Sequence, residues 1–183
     1  MPILKKLLVI TSCALLYYGC FYLNKFVFDE LEFSFGVNWV FIPSGLKLLM
    51  VLIAVEDAAI GITLASWMIG LDHYYLDSLL STLVTGVISG CSPLLARKIC
   101  LDFLGIDKEL VGLSPRSILI MSLVFSILSA SLHQLWFLYN NISENFLNSL
   151  AVMALGNMLG TALVLSAISI GDRYLVRLFK PSE

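Results

Sequence analysis

The stretch NWVFIPSGLKLLMVLIAVEDAAIGITLASWMIGL, residues 38–71, decides how the chain is organised. It opens with a Pro-Ser-Gly sequence, carries Lys47 inside an apolar run, and holds the acidic pair Glu56-Asp57 near its middle. As a single membrane span it would place that pair close to the bilayer centre, where a charge such as Asp costs about 2.5–3.5 kcal/mol. We therefore predict a hairpin of two spans that turns at Glu56-Asp57.

The first arm of this hairpin is short for a membrane span. Residues 43–55 give about 20 Å of helix at ~1.5 Å per residue, whereas the hydrocarbon core is about 30 Å thick. Residues 38–42 must supply the missing depth, either as helix kinked at Pro43 or as non-helical backbone buried among other helices. Irregular backbone at membrane depth needs surrounding protein or a water-filled cavity, so this segment points to a site.

The composition is that of a membrane protein. The chain has 183 residues, of which 59% are hydrophobic and 13% charged, whereas soluble domains average about 25% charged residues. A net charge of −2 gives no basic face for nucleic acid. We predict an all-α fold, a polytopic membrane helix bundle that forms one integral domain over residues 1–183. Its expected location is the cytoplasmic (inner) membrane of a bacterium.

Six spans are predicted from apolar runs of about 20 residues. They lie at about 4–24, 38–55, 58–72, 78–96, 117–139 and 146–170. With both termini cytoplasmic, nine of the eleven basic residues face the cytoplasm, as the positive-inside rule expects. These nine are Lys5, Lys6, Arg97, Lys98, Lys108, Arg116, Arg173, Arg177 and Lys180. The first span could instead be a signal peptide cleaved near Cys20, but Tyr17 and Tyr18 are unusual at such sites and favour a retained span.

The sharpest candidate for a ligand site is Pro43-Ser44-Gly45-x-Lys47. Proline suits the first turn of a helix, so Ser44 and Gly45 would expose free backbone N–H groups there. Such groups bind anions at a helix N-terminus, and Lys47 would add a full positive charge one turn further in. This motif predicts an outward-facing pocket for an acidic small molecule or headgroup.

Lys47 also has interpretations that involve no ligand. Its side chain could snorkel to the outer interface and do nothing else. A lysine inside a span can also pair with an acidic residue. The outer-side candidates for such a pair are Asp72, Asp77 and Glu144.

Two further polar residues within spans are candidates for the same site. His133 lies near the outer end of the fifth span, and Asn157 lies in the motif Gly156-Asn-x-x-Gly160. Each could instead form a hydrogen bond between helices. The predicted ligand-binding residues are Pro43, Ser44, Gly45, Lys47, His133, Asn157 and Gly160. We predict no metal site, no cofactor and no catalytic residue, because no Ser, Cys or carboxylate grouping supports hydrolysis; the chain is therefore expected not to be an enzyme.

Small residues at four-residue spacing allow helices to approach closely. Such pairs occur at Gly86/Gly90 and at Gly156/Gly160. They predict close packing inside a compact bundle, and the alternative is an interface between copies in an oligomer.

The run FIPSGLKLL, residues 41–49, resembles the Pro-small-Gly start of a span in bacterial membrane-associated sensor (MASE-type) domains. The run LNSLAVMALGNMLG, residues 147–160, is similar to a late helix of those domains. The matching positions are Pro43, Gly45, Asn157 and Gly160. The resemblance implies a sensory module. Because those domains usually have eight spans and no kinase or cyclase domain follows Lys180, it also implies a separate output partner.

Six helices in about 180 residues with both termini inside are also similar in architecture to the substrate-binding subunits of energy-coupling-factor vitamin transporters. The alanine spacing with which those subunits dock is absent around Ala14. We predict a non-enzymatic module in the lipid bilayer that binds a small ligand or acts as a sensor. The alternatives are a transport subunit that works with a partner ATPase, and a membrane assembly factor.

Overall fold

The computed structural model describes residues 3–74, 78–103, 114–143 and 145–178. Its helices are α1 (Ile3–Phe28), α2 (Ile42–Ile69), α3 (Leu79–Phe103), α4 (Pro115–Tyr139) and α5 (Phe146–Leu178). Between α1 and α2 lie a 3₁₀ turn and the short antiparallel strands β1 (Glu32–Ser34) and β2 (Val37–Asn38). A π-helical turn, Gly70–Tyr74, extends α2. Apart from this small hairpin of strands, the predicted helical architecture is confirmed.

Five segments are long and apolar enough to cross a membrane, which confirms the prediction of a multi-pass membrane protein. They are Ile3–Leu31, Ile42–His73, Leu79–Phe103, Pro115–Tyr139 and Phe146–Gly171. The predicted spans 38–55 and 58–72 fall within one of these segments, because α2 runs through the predicted turn and is broken only at Val55. Of the basic residues used for the topology, Lys108 and Lys180 lie outside the described residues.

The break in α2 is a reversal of the chain. Val55 has φ 44° and ψ −113°, a conformation that a β-branched residue rarely adopts. The residues before it, 42–54, are called the first arm. At its start the Ile42 N–H donates to Asn24 Oδ1 over 2.8 Å, and further along Lys47 Nζ lies 5.3 Å from the ring centroid of Tyr17. The first arm therefore runs antiparallel to α1.

The residues after the break, 56–69, form the second arm, which runs along α1 in the direction opposite to that of the first arm. Asp57 pairs with Lys6 at 3.4 Å, and a Cβ built on Gly61 would lie 2.6 Å from the Ile10 carbonyl oxygen. Beyond the arm, the π-helical turn reaches the far end of α1. The second arm therefore runs parallel to α1, and the chain reverses one residue before the predicted Glu56-Asp57 turn.

The segment before the first arm, residues 38–41, is non-helical and packs against α5. The Phe41 N–H donates to the Gly156 carbonyl oxygen over 3.1 Å. A Cβ on Gly156 would lie 2.0 Å from the Asn38 carbonyl oxygen, and one on Gly160 would lie 1.8 Å from that of Phe41. Of the two predicted ways to supply the missing depth, the structure therefore has non-helical backbone packed against another helix.

The glycine pair Gly86/Gly90 also packs against another part of the same chain. A Cβ on Gly86 would lie 2.1 Å from the Trp67 ring, and one on Gly90 would lie 2.4 Å from the Ala59 carbonyl oxygen. Both glycine faces are therefore covered by helix α2 or by the segment before it. The predicted close packing within the bundle is therefore seen at both glycine pairs, and an oligomer interface stays a prediction.

Candidate functional site

A cavity opens between α1, both arms of α2, and helices α3, α4 and α5. Its interior volume is about 90 Å³, on a scale where one water molecule needs roughly 10–15 Å³, so there is room for a small molecule. The polar side chains that line it are those of Tyr17, Asn38, Lys47, Ser66, Thr85, Ser89, Ser129, His133 and Asn157. The larger apolar ones are those of Phe21, Phe41, Ile69, Phe137 and Met153. A polar interior of this kind is unusual for a bundle held together by apolar packing.

The reversal of α2 brings residues from its two arms to the same cavity. Lys47 of the first arm and Ser66 of the second are nineteen positions apart, which in one straight helix would separate them by about 28 Å along the axis. In the folded-back arrangement both line the same cavity. A hairpin at Val55 is therefore a condition for the site to exist.

Lys47 is the central residue of the cavity. Its side chain is buried, with 3% exposed, and Nζ lies 5.3 Å from the ring centroid of Tyr17 and 5.4 Å from that of Phe41. Among the described residues, the ammonium has no hydrogen bond and no ion pair. Two aromatic faces attract a cation, but they do not replace the hydrogen bonds that its three donors would make in water.

The burial of Lys47 does not fit a snorkelling side chain, because its head does not reach the surface. Of the three acidic partners considered from the sequence, Asp72 accepts a hydrogen bond from the Tyr22 hydroxyl instead. The other two, Asp77 and Glu144, lie outside the described residues.

His133 is held in a fixed orientation beside the lysine. Its Nδ1 lies 2.8 Å from the Ser129 carbonyl oxygen, and because a carbonyl can only accept, Nδ1 carries the hydrogen. Nε2 lies 3.3 Å from Ser89 Oγ, on helix α3. The Lys47 ammonium acts on the ring electrostatically. The predicted helix-to-helix hydrogen bond and the predicted place in the site therefore both apply to this residue.

Two further polar side chains face the cavity without a partner among the described residues. Ser66 Oγ is buried and has no partner within strict hydrogen-bonding geometry among the described residues, although the Tyr17 hydroxyl is close enough to act as a hydrogen-bonding neighbour. Asn157 is 4% exposed, and its backbone carbonyl accepts from Thr161 Oγ1 at 2.8 Å, whereas its side-chain amide has no partner within the described chain. Buried polar groups are nearly always hydrogen-bonded, so these groups are free to bond to water or to another polar molecule in the cavity.

The predicted anion site at the start of α2 is corrected by the structure. The Ile42 N–H is capped by Asn24, and the Ser44 N–H donates to the Phe41 carbonyl oxygen over 3.1 Å. Ser44 Oγ lies 2.7 Å from the carbonyl oxygens of both Phe41 and Asn157. The N–H groups of Ile42 and Ser44 are therefore both satisfied within the protein, the first by Asn24 of α1 and the second by the Phe41 carbonyl oxygen.

The predicted residues divide into two groups. Lys47, His133 and Asn157 come together in the cavity. Ser44, Gly45 and Gly160 lie at the contact between the first arm and α5, and Pro43 is buried at the start of α2. A Cβ on Gly45, for example, would lie 2.8 Å from Thr161 Cα, so this residue serves close helix packing.

Sequence reasoning missed most of the polar lining. A signal was present, since each contributing helix presents its residues at four-residue spacing: Tyr17 and Phe21, Thr85 and Ser89, Ser129 and His133. Residues at this spacing share one helix face. The same pattern also describes ordinary packing of small residues, so the pattern alone does not identify a cavity. No group of three or more His, Cys, Asp or Glu side chains in the described part of the chain is placed to hold a metal ion.

No protein-family model, curated protein or solved structure matches the chain. The resemblances to membrane-associated sensor domains and to vitamin-transporter subunits therefore stay predictions. What the protein does has to be inferred from the cavity.

Proposed function

We propose that the chain is a non-enzymatic membrane module that binds a small ligand in the cavity beside Lys47 and acts as a sensor. The observation that carries this proposal is the buried Lys47 ammonium, which contacts two ring faces and no acidic group within the described residues. A buried charge without a partner is costly. Helix packing has no use for such a charge, whereas a site for a ligand does.

The proposal includes a topology of six membrane crossings with both termini cytoplasmic, in the inner membrane of a bacterium. The opposite directions of the two arms of α2 support it, as does the distribution of basic residues. In this topology Glu56 lies on the cytoplasmic side and Trp39 on the outer side, together with the mouth of the cavity. Both side chains are exposed.

Topology is tested with single cysteines at Glu56 and Trp39 in a variant that lacks the native cysteines, labelled in intact cells with a membrane-impermeant maleimide. We expect labelling at position 39 and none at position 56 until the cells are opened. Equal labelling of both positions from outside would contradict six crossings.

A ligand in the cavity is tested by comparing what the purified protein retains from a cell extract. Ser66→Phe is designed to fill the cavity, and Ile53→Phe, at a position that is 76% exposed, is the matched control. We expect mass spectrometry to find a small molecule retained by the wild-type protein and by Ile53→Phe, and lost from Ser66→Phe. Identical profiles for all three proteins, each with a normal unfolding temperature, would refute a ligand site.

A flux measurement in proteoliposomes, made alongside the retention experiment, separates sensing from its alternatives. A sensor binds its ligand without moving it across the membrane, and it needs a separate output partner. A transport subunit would give ligand flux in proteoliposomes that depends on a partner ATPase. An assembly factor would show neither binding nor flux.

A further inference from the structure

The groups that face the cavity define the chemistry of its ligand. Lys47 is the one Lys or Arg among the described lining residues, and no Asp or Glu is found among them. The site therefore offers a single amine and no acidic counter-charge. From this arrangement we infer that the ligand is a monocarboxylate with an apolar body, whose carboxylate binds Lys47. The inference rests on the proposed function and gives its ligand a chemical class.

One negative charge matches the cavity better than two. An ion pair in a buried site is favourable only when its charges are compensated and its remaining hydrogen bonds are made. Lys47 compensates one charge, and a dianionic phosphate or phosphonate would leave a second one buried. The backbone N–H groups that often bind phosphate at a helix N-terminus are not available either, because those of Ile42 and Ser44 are already satisfied.

Two polar side chains near Lys47 would add hydrogen bonds to the carboxylate. Its oxygens can each accept more than one hydrogen bond, and the buried Ser66 hydroxyl, which has no partner within strict hydrogen-bonding geometry among the described residues, can donate one. Asn157 lines the same cavity and adds an amide donor. Three polar groups, those of Lys47, Ser66 and Asn157, could therefore all bind to one carboxylate.

The rest of the cavity suits an apolar body. Phe21, Phe41 and Phe137 contribute ring surfaces, and Ile69 and Met153 add aliphatic and thioether surface. At about 90 Å³, the interior has room for several water-sized groups, which fits a small organic molecule. Apolar walls with a few converging polar groups are typical of sites that bind a whole organic molecule.

The test is calorimetric titration of the full-length protein in lipid nanodiscs at a pH near 8. The probes share a phenyl group and differ in charge: phenylacetate, phenylacetamide, 2-phenylethylamine and phenylphosphonate. We expect phenylacetate to bind at least about tenfold more tightly than each of the others, since only it pairs with Lys47 without leaving an uncompensated charge. A comparison with decanoate separates two sources of the carboxylate, a dissolved metabolite or a fatty acid from the membrane. Tighter binding of either one fits the inference.

Substitutions test which residues bind the carboxylate. Lys47→Met is expected to weaken phenylacetate binding about 100-fold or more, and Ser66→Ala about tenfold, as for a hydrogen bond to a charged group. Lys6→Met, which removes a lysine at the other end of α1, should leave binding unchanged. Ser66→Ala keeps the test decisive if the lysine variant does not fold.

Several results would overturn the inference. They are equal binding of the amide or the amine, tighter binding of the phosphonate, binding that survives Lys47→Met, and no binding of either carboxylate. The retention experiment with Ser66→Phe is independent of the carboxylate. If the wild-type protein retains a neutral or cationic molecule that Ser66→Phe loses, the proposed function stands and the carboxylate does not.

Discussion

Replacing Lys47 with methionine should stabilise the ligand-free protein. Methionine, like lysine, has an unbranched and flexible side chain, but it lacks the ammonium group. A cationic side chain at the centre of a membrane helix costs about 2.5–3.5 kcal/mol on insertion scales. Against this, the ring centroids of Tyr17 and Phe41 lie 5.3 and 5.4 Å from Nζ, near the limit for cation–π attraction, and contribute about 0.5–1 kcal/mol each. The difference predicts a gain of about 1–2 kcal/mol in the free energy of unfolding.

The assay is thermal unfolding of the purified protein in detergent, without added ligand and at fixed pH. For a chain of this size the gain corresponds to a rise of about 2–8 °C in Tm. Lys6→Met is the control, because the Lys6 side chain is 54% exposed and its pair with Asp57 spans 3.4 Å, so its loss should cost less than about 1 kcal/mol. A Tm that falls for Lys47→Met while Lys6→Met is unchanged would refute the reasoning and assign Lys47 a structural partner.

Three further predictions concern the fold that creates the cavity. Gly156→Ala should destabilise the protein by about 1–3 kcal/mol because its Cβ meets backbone, whereas Gly19→Ala, with open space around it, should be neutral or slightly stabilising in the same unfolding assay. Val55→Gly should stabilise by about 1 kcal/mol by relieving the positive φ, and a clear loss of stability would argue against the reversal. Spin labels at Trp39 and Leu71, both exposed, should lie within about 20 Å of each other by pulsed electron resonance, whereas one straight helix would separate them by about 48 Å.

The features that the sequence predicts well follow from charge and helix length. The acidic pair in residues 38–71 cannot lie at the bilayer centre, and this requirement predicts a turn within one residue of the break at Val55. The short first arm predicts either a helix kinked at Pro43 or irregular backbone before it, and the structure has irregular backbone at residues 38–41. Lys47 is a candidate from sequence because a lysine inside a span is rare and costly.

The features that the sequence does not predict depend on contacts between distant segments. The N–H groups at the start of α2 are predicted to be free, and the cap that Asn24 supplies cannot be found from local spacing. The Ser66 hydroxyl joins the cavity only because the second arm folds back. The helices also extend beyond the predicted spans, since α1 continues to Phe28 and α5 to Leu178, past the last apolar residues on which those spans depend.

The contact between residues 38–41 and α5 has a consequence for the order in which the protein matures during synthesis. The Phe41 N–H finds its acceptor at Gly156, which leaves the ribosome 115 residues later, or about 6–23 s at ~5–20 residues per second. During that interval the irregular segment lies in the membrane without the helix that satisfies its backbone. Nascent chains that stop before α5 should therefore be early substrates for membrane proteases, and the first arm should be the last part of the protein to settle.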